Sequence, residues 1–142
     1  MRGDAVMILD NDYTRTVLVV DDEPHIQRLL KLALSKYSFD VLTATSGDEA
    51  IMLVEQSKPS IILLDLALPG MNGYEVLAYL NQHPKRDEFA VIVISGAESE
   101  AMFALQAGAD DFLSKPFRIM ELLECLNYWM DACKQREAMA IN

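Results

Sequence analysis

Four apolar runs in this 142-residue chain each stop at or just before a charged or hydroxyl-bearing residue, and this repetition constrains the fold more than any other feature. Thr16-Val17-Leu18-Val19-Val20 is followed by Asp21 and Asp22, and Ile61-Ile62-Leu63-Leu64 by Asp65. Ala90-Val91-Ile92-Val93-Ile94 is followed by Ser95, and Phe112-Leu113 leads to Lys115. The first three runs are short, rich in β-branched residues and, after Thr16, apolar at every position, the signature of strands buried on both faces.

Between them the apolar period changes from continuous to helical. Pro24 suits a first helical turn, and Ile26, Leu29, Leu30, Ala33 and Leu34 predict a helix over 24–36 with those residues inward. A strand is expected at 41–44. Ser46-Gly47-Asp48-Glu49 then reads as a capping box for a second helix with Ala50, Ile51, Leu53 and Val54 inward, ending before Pro59. A third helix is expected over 73–81 and a fourth over 98–106 with Gly108 as its C-terminal cap. A fifth strand lies within 109–114. The last helix, after Pro116, carries the stripe Ile119, Leu122, Leu123, Leu126, Trp129, Met130 and Cys133. Residues 1–15 show no sustained period and read as an N-terminal arm, 16–137 as one domain and 138–142 as a C-terminal tail.

Five strands alternating with helices, with no internal repeat, imply parallel βαβ units with right-handed crossovers. The fold class is therefore α/β, a doubly wound parallel sheet covered on both faces. At this length a single domain buries roughly two-thirds of its unfolded surface. The net charge of −10, with 12 Lys and Arg that never form a run, argues against direct nucleic acid or anionic membrane binding. No run approaches the ~20 apolar residues of a membrane helix, the N-terminus lacks a signal peptide pattern, and a cytoplasmic location is expected. Cys125 and Cys133, eight residues apart on one helix, lie about 12 Å apart along its axis and cannot bridge. His25 and His83 are expected to be exposed and to hold no metal. Tyr128 and Trp129 suit either the core or a partner surface.

In a parallel sheet all strands end on one side, and ligands bind there where the strand order reverses. Topology alone thus gathers Asp21, Asp22, Asp65, Ser95 and Lys115 at one edge. Two carboxylates ~4 Å apart cost on the order of 4 kcal/mol at an effective dielectric of 20, so either one is protonated or a cation neutralises them. Magnesium fits, since it takes oxygen ligands, needs one or two carboxylates and leaves positions for phosphate oxygens. An aspartate is also a competent nucleophile for an acyl phosphate. A Lys ammonium and a Ser hydroxyl supply the partners that phosphoryl transfer requires. The chemistry alone leaves open which aspartate is the nucleophile.

The segments Val19-Val20-Asp21-Asp22-Glu23, Leu63-Leu64-Asp65-Leu66, Pro69-Gly70-Met71-Asn72-Gly73, Ile94-Ser95-Gly96 and Leu113-Ser114-Lys115-Pro116-Phe117 resemble the response regulator receiver domain of two-component signalling, in order and over about residues 15–136. The resemblance implies a flavodoxin-like sheet of strand order 2-1-3-4-5 and a cis Lys115-Pro116 bond. It implies Asp65 as phosphoacceptor, Lys115 as phosphate-binding lysine, Ser95 and Phe112 as switch residues, and Mg2+ held by Asp21, Asp22, Asp65 and the backbone carbonyl of Ala67. The implied partners are a histidine kinase or histidine phosphotransfer domain, and a downstream protein or output domain meeting the fourth helix, fifth strand and fifth helix. A receiver is no enzyme in the usual sense, although it assists its own phosphorylation and dephosphorylation.

Two other classes compete. A phosphorylation-independent pseudo-receiver should lack at least one of the acid, hydroxyl or lysine groups, and all are present. A haloacid-dehalogenase-like phosphatase wants an Asp where Ala67 stands, and a nucleotide-binding protein wants a glycine-rich phosphate loop that the chain lacks. Ala67 and Ala97 are small at positions that in the receiver family influence phosphoryl hydrolysis. Cys125 and Asn127 replace the basic residues through which winged-helix receivers pair, which leaves the long last helix for a linker or a weak homodimer contact. The chain reads as a stand-alone regulator or as a receiver from a longer protein.

Overall fold

The computed structural model describes residues 15–141, with side chains described as far as Arg136. The order is β1 (Thr16–Val20), α1 (Pro24–Ser35), β2 (Asp40–Ala44), α2 (Gly47–Ser57), β3 (Ile61–Asp65), α3 (Gly73–Asn81), β4 (Ala90–Ser95), α4 (Ala101–Gln106), β5 (Asp111–Ser114) and α5 (Ile119–Ile141). The strands form one parallel sheet in the order β2-β1-β3-β4-β5, the flavodoxin-like arrangement expected. The order reverses between β1 and β3, so the crevice lies above the strands that carry Asp21 and Asp65.

Alternation along each strand divides the core in two. Val17, Val19, Ile61, Leu63, Ile92 and Ile94 face α1 and α5, packing on Leu30, Leu34, Leu122, Leu126 and Met130. Leu18, Val20, Ile62, Leu64, Val91 and Val93 face α2, α3 and α4, packing on Ala50, Val54, Val76, Leu77, Leu80 and Ala104. Both faces of the central strands are buried, which explains their unbroken apolar runs.

The helix ends follow local chemistry, with some departures from expectation. Pro24 opens α1 as expected. Ser46 caps α2 by accepting the Glu49 N–H at 3.2 Å, but Glu49 reaches back to the N–H and hydroxyl of Thr45, one residue before the cap. The reciprocal box stands instead at α3, between Asn72 and Glu75. Gly108, at φ 111°, ends α4 as expected, and its N–H donates to the Leu105 carbonyl at 3.1 Å. Leu29, expected inward, is 56% exposed, because α1 turns only Leu30 and Leu34 fully onto the sheet.

His83, expected to be exposed, keeps only 13% of its side-chain surface. Its ring packs edge-on against Tyr79 and Phe89. Nδ1 accepts the Lys85 N–H at 3.0 Å, which makes Nε2 the protonated nitrogen, bonded to Glu55 at 2.8 Å. Both cysteines are free. Trp129 is half-buried and its indole N–H donates to Asp111 at 2.8 Å, a bond that ties α5 to the edge strand.

Of the arm placed at 1–15, residues 1–14 lie outside the described residues. Arg15 is tied in: its guanidinium donates to the Tyr37 and Ser38 carbonyls and stacks over Phe39 at 4.2 Å. The backbone of α5 continues to Ile141, through the segment 138–141 set apart as a tail. No helix among the described residues is long and apolar enough to cross a membrane.

One glycine fixes the loop above the site. The Gly73 N–H donates to the Leu66 carbonyl at 3.0 Å, and a Cβ there would strike Leu66 Cα and lie 2.7 Å from the Asp65 carbonyl oxygen. These are backbone atoms and cannot swing away. Gly73→Ala is expected to cost on the order of 1–3 kcal/mol in urea unfolding, and an unchanged midpoint would refute this close packing of α3 on the β3 end.

Candidate functional site

The strand ends converge as the topology requires. Asp21 stands one residue past β1, Asp65 ends β3, Ser95 ends β4 and Lys115 follows β5. Asp21, Asp65 and Ser95 are all buried, whereas Asp22 is exposed. The Lys115 ammonium sits between two of the acids, donating to Asp65 Oδ2 at 2.9 Å and to Asp21 Oδ2 at 3.3 Å. The second oxygen of each acid takes a backbone donor: Ala67 N–H to Asp65 Oδ1 at 2.8 Å, and Glu23 N–H to Asp21 Oδ1 at 2.9 Å. Asp21 is therefore not a helix cap, since Glu23 holds the cap position of α1 without a side-chain bond.

Burial pushes the Asp21 carboxyl above its ordinary pKa; the Glu23 N–H and the Lys115 charge oppose this, and the Asp65 charge adds to it. Burial alone would lower Lys115, but its hydrogen bonds to and attraction by Asp65 and Asp21 outweigh that and raise it, so the ammonium keeps its proton. One carboxylate oxygen from each of Asp21, Asp22 and Asp65 lies within 4.8 Å of the others. This hard, all-oxygen donor set, with only one ammonium against three acids, fits a divalent hard cation such as magnesium.

Ser95 lies across a cavity of about 360 Å³ lined by Asp65, Ala67, Tyr74, Ser95, Glu100 and Lys115. Its hydroxyl donates to Glu100 Oε1 at 2.9 Å and accepts the Ala97 N–H at 3.1 Å. Phe112 pairs with Val93 in the β4–β5 register and is half-buried in the α2–α3–α4 core, on the same side of the sheet as Ser95, two residues beyond Val93. The Lys115-Pro116 bond is cis, as the resemblance implied.

Three residues of the site escape the sequence reading. Gln27 of α1 donates through Nε2 to the carbonyls of Asp21 at 2.7 Å and Ala44 at 2.9 Å, tying the ends of β1 and β2. Glu100 and Tyr74 meet across the cavity, the phenol donating to Glu100 Oε2 at 3.3 Å. Nothing in their local sequence marks them, because Ala44 and the Tyr74–Glu100 pair are brought together only by the fold, and the near partners Asp21 and Ser95 show their role only once their orientation is fixed.

Residues 17–127 match the family model for the response regulator receiver domain. The chain belongs to the response regulator receiver family. It is 37% identical over 108 residues to the alkaline phosphatase synthesis transcriptional regulatory protein PhoP of Bacillus subtilis, covering 76% of this chain and 45% of that protein. The chain thus spans less than half the length of that relative. Among solved structures it resembles the receiver domain of NtrX from Brucella abortus, with TM-score 0.74, 32% identity and coverage of 81% of this chain and 98% of that one. It also resembles a CheY-like response regulator receiver domain protein from Methanospirillum hungatei, with TM-score 0.78, 28% identity and coverage of 86% and 98%. Receiver domains of two-component systems are generally phosphoacceptors, bind magnesium at an acidic pocket and work with kinases and output domains.

The receiver's acid cluster carries a testable cost. Asp21→Asn keeps an acceptor for the Glu23 N–H and removes one of two buried like charges. In EDTA it is expected to raise unfolding stability by on the order of 1 kcal/mol, with a smaller response to added Mg2+. A fall in stability would mean that the Lys115–Asp21 pair outweighs the cost of burying the Asp21 charge.

Proposed function

We propose that this receiver is a phosphorylation-driven switch in which Asp65 takes a phosphoryl group from a phosphohistidine. The observation that carries the reading is Lys115, whose ammonium is shared between Asp65 and Asp21 inside a three-carboxylate cluster. The Asp65 carboxylate attacks phosphorus as the phosphorus–nitrogen bond breaks, forming an acyl phosphate and returning the electron pair to the imidazole, which takes up a proton. Lys115 is already within hydrogen-bond distance of the nucleophile and is placed to meet a phosphoryl oxygen, so the transfer needs positioning more than new groups. Asp21, Asp22, Asp65 and the Ala67 carbonyl would hold Mg2+, which when bound neutralises charge on the transferring oxygens.

The phosphoryl group would then recruit the Ser95 hydroxyl, and Phe112 would follow into the space that Ser95 leaves. This biases the α4–β5–α5 surface between two populated states, and that surface is the proposed contact with a downstream protein or output domain. The proposed donor is a histidine kinase or histidine phosphotransfer domain. An apolar groove of about 370 Å³ supports its docking, lined by Ile26, Leu29, Leu30, Pro116, Phe117 and Ile119 and opening onto Lys115. The exposed Leu29 gains a role there as part of the docking face. The receiver unit is assigned to 16–137, and release of the phosphoryl group is assigned to water entering the cavity that Asp65 and Ala67 line.

Incubation with acetyl phosphate and Mg2+ tests the assignment. Wild type is expected to gain one phosphoryl group by intact mass, and Asp65→Ala none. Labelling of Asp65→Ala equal to wild type, or none of either protein, would sink the reading.

A further inference from the structure

The Ser95 hydroxyl that the switch needs is already committed. It donates its proton to Glu100 Oε1 at 2.9 Å, away from the acid cluster. We propose that Glu100 is a positioning residue that latches Ser95 in the unphosphorylated state, so that phosphoryl capture and the Ser95–Glu100 bond are alternatives. The inference rests on the reading of Asp65 as phosphoacceptor and of Ser95 as the hydroxyl it recruits.

The exclusivity follows from valence. A serine hydroxyl has one proton to donate, and a bond to a carboxylate is the stronger, charge-assisted kind. The Ala97 N–H donates to the same oxygen at 3.1 Å and holds the side chain in this rotamer. Glu100 is fixed from its other side, since Tyr74 donates to Oε2 at 3.3 Å. Burial, the Glu100 charge and this bond raise the Tyr74 phenol above its ordinary pKa, so it stays a donor.

The alternation of β4 supplies the reason for the direction. Ser95 shares the parity of Val91 and Val93, which face α2, α3 and α4, whereas Asp65 shares that of Ile61 and Leu63, which face α1 and α5. The resting hydroxyl therefore follows its strand toward the fourth helix. Glu100 closes the turn Glu98–Glu100 that leads into α4, with its N–H on the Ala97 carbonyl at 2.9 Å. Turning Ser95 toward Asp65 releases both the Ala97 N–H and the Glu100 carboxylate, and so frees the start of α4. Half-exposed Glu100 recovers part of the loss from water, which makes the latch a bias rather than a lock.

Titration of the full chain with beryllofluoride and Mg2+, followed by 19F NMR and by fluorescence of the single Trp129, reads the bias. Glu100→Ala is expected to tighten binding about tenfold, the scale of one charge-assisted bond. Glu100→Gln keeps an acceptor and removes the charge, so its gain should be about threefold, and Tyr74→Phe should give about twofold. In a Ser95→Ala background the further change Glu100→Ala should gain no more than Glu100→Gln does there. The latch is overturned if Glu100→Ala weakens or does not change binding, if Glu100→Gln matches it in the wild-type background, or if its full gain persists without the Ser95 hydroxyl. Absence of Asp65-dependent beryllofluoride binding in wild type would instead overturn the phosphoacceptor reading, and the latch with it.

Discussion

The Lys115 ammonium between Asp65 and Asp21 is the interaction that lets the rest of the site exist. The strand order drives two buried acids and the exposed Asp22 to one point of the sheet edge, and nothing in the apolar core beneath them can offset their repulsion. Lys115 arrives from the far edge strand, 50 residues after Asp65 and 94 after Asp21. The charge balance of the crevice is therefore available only once β5 has joined β4. One cation against three carboxylates leaves the balance incomplete, and burial, with the Asp65 charge adding to it, holds the Asp21 carboxyl above its ordinary pKa. A site with this surplus is less stable than a neutral one of the same shape, the common relation between a poised functional cluster and the fold that carries it.

The fold was legible because the features that specify it are local. Apolar runs buried on both faces, Pro24 at the start of α1 and Gly108 after α4 each act within a few residues. The acids and Lys115 were legible because parallel topology converts position in a strand into position in space. The misreadings share a different cause. Ser46 and Glu49 satisfy the spacing of a capping box, but the spacing does not say which backbone N–H lies nearer to Glu49, and Thr45 takes it. Leu29 fits the helical stripe, yet α1 turns only Leu30 and Leu34 fully onto the sheet, and Leu29 faces the groove beside Phe117. His83 looks like a loop histidine until Glu55, 28 residues earlier, closes over its Nε2. Glu100 was invisible for the same reason, because an acid opening a helix is ordinary and its meaning depends on where Ser95 points.

The helices are not anchored equally, and the difference bears on the proposed output surface. α3 has a full capping box and buries Gly73, Val76, Leu77 and Leu80. α5 buries Leu122, Leu123, Leu126, Met130 and Cys133 and is tied to the edge strand through Trp129 and Asp111. α4 has six residues, no side-chain cap, and Ala104 as its one buried residue, while Met102, Phe103 and Leu105 are exposed. Helical segments this short hold their shape only through what surrounds them, and elements with few buried contacts occupy the low end of local stability. A change of one or two hydrogen bonds is small against the whole domain but large against α4. The two bonds that Ser95 makes to the loop before α4 therefore act where the fold is least able to resist them. On the proposed reading, a phosphoryl group at Asp65 has no need to deform the sheet. It needs only to withdraw one hydroxyl from a helix that has little else to hold it.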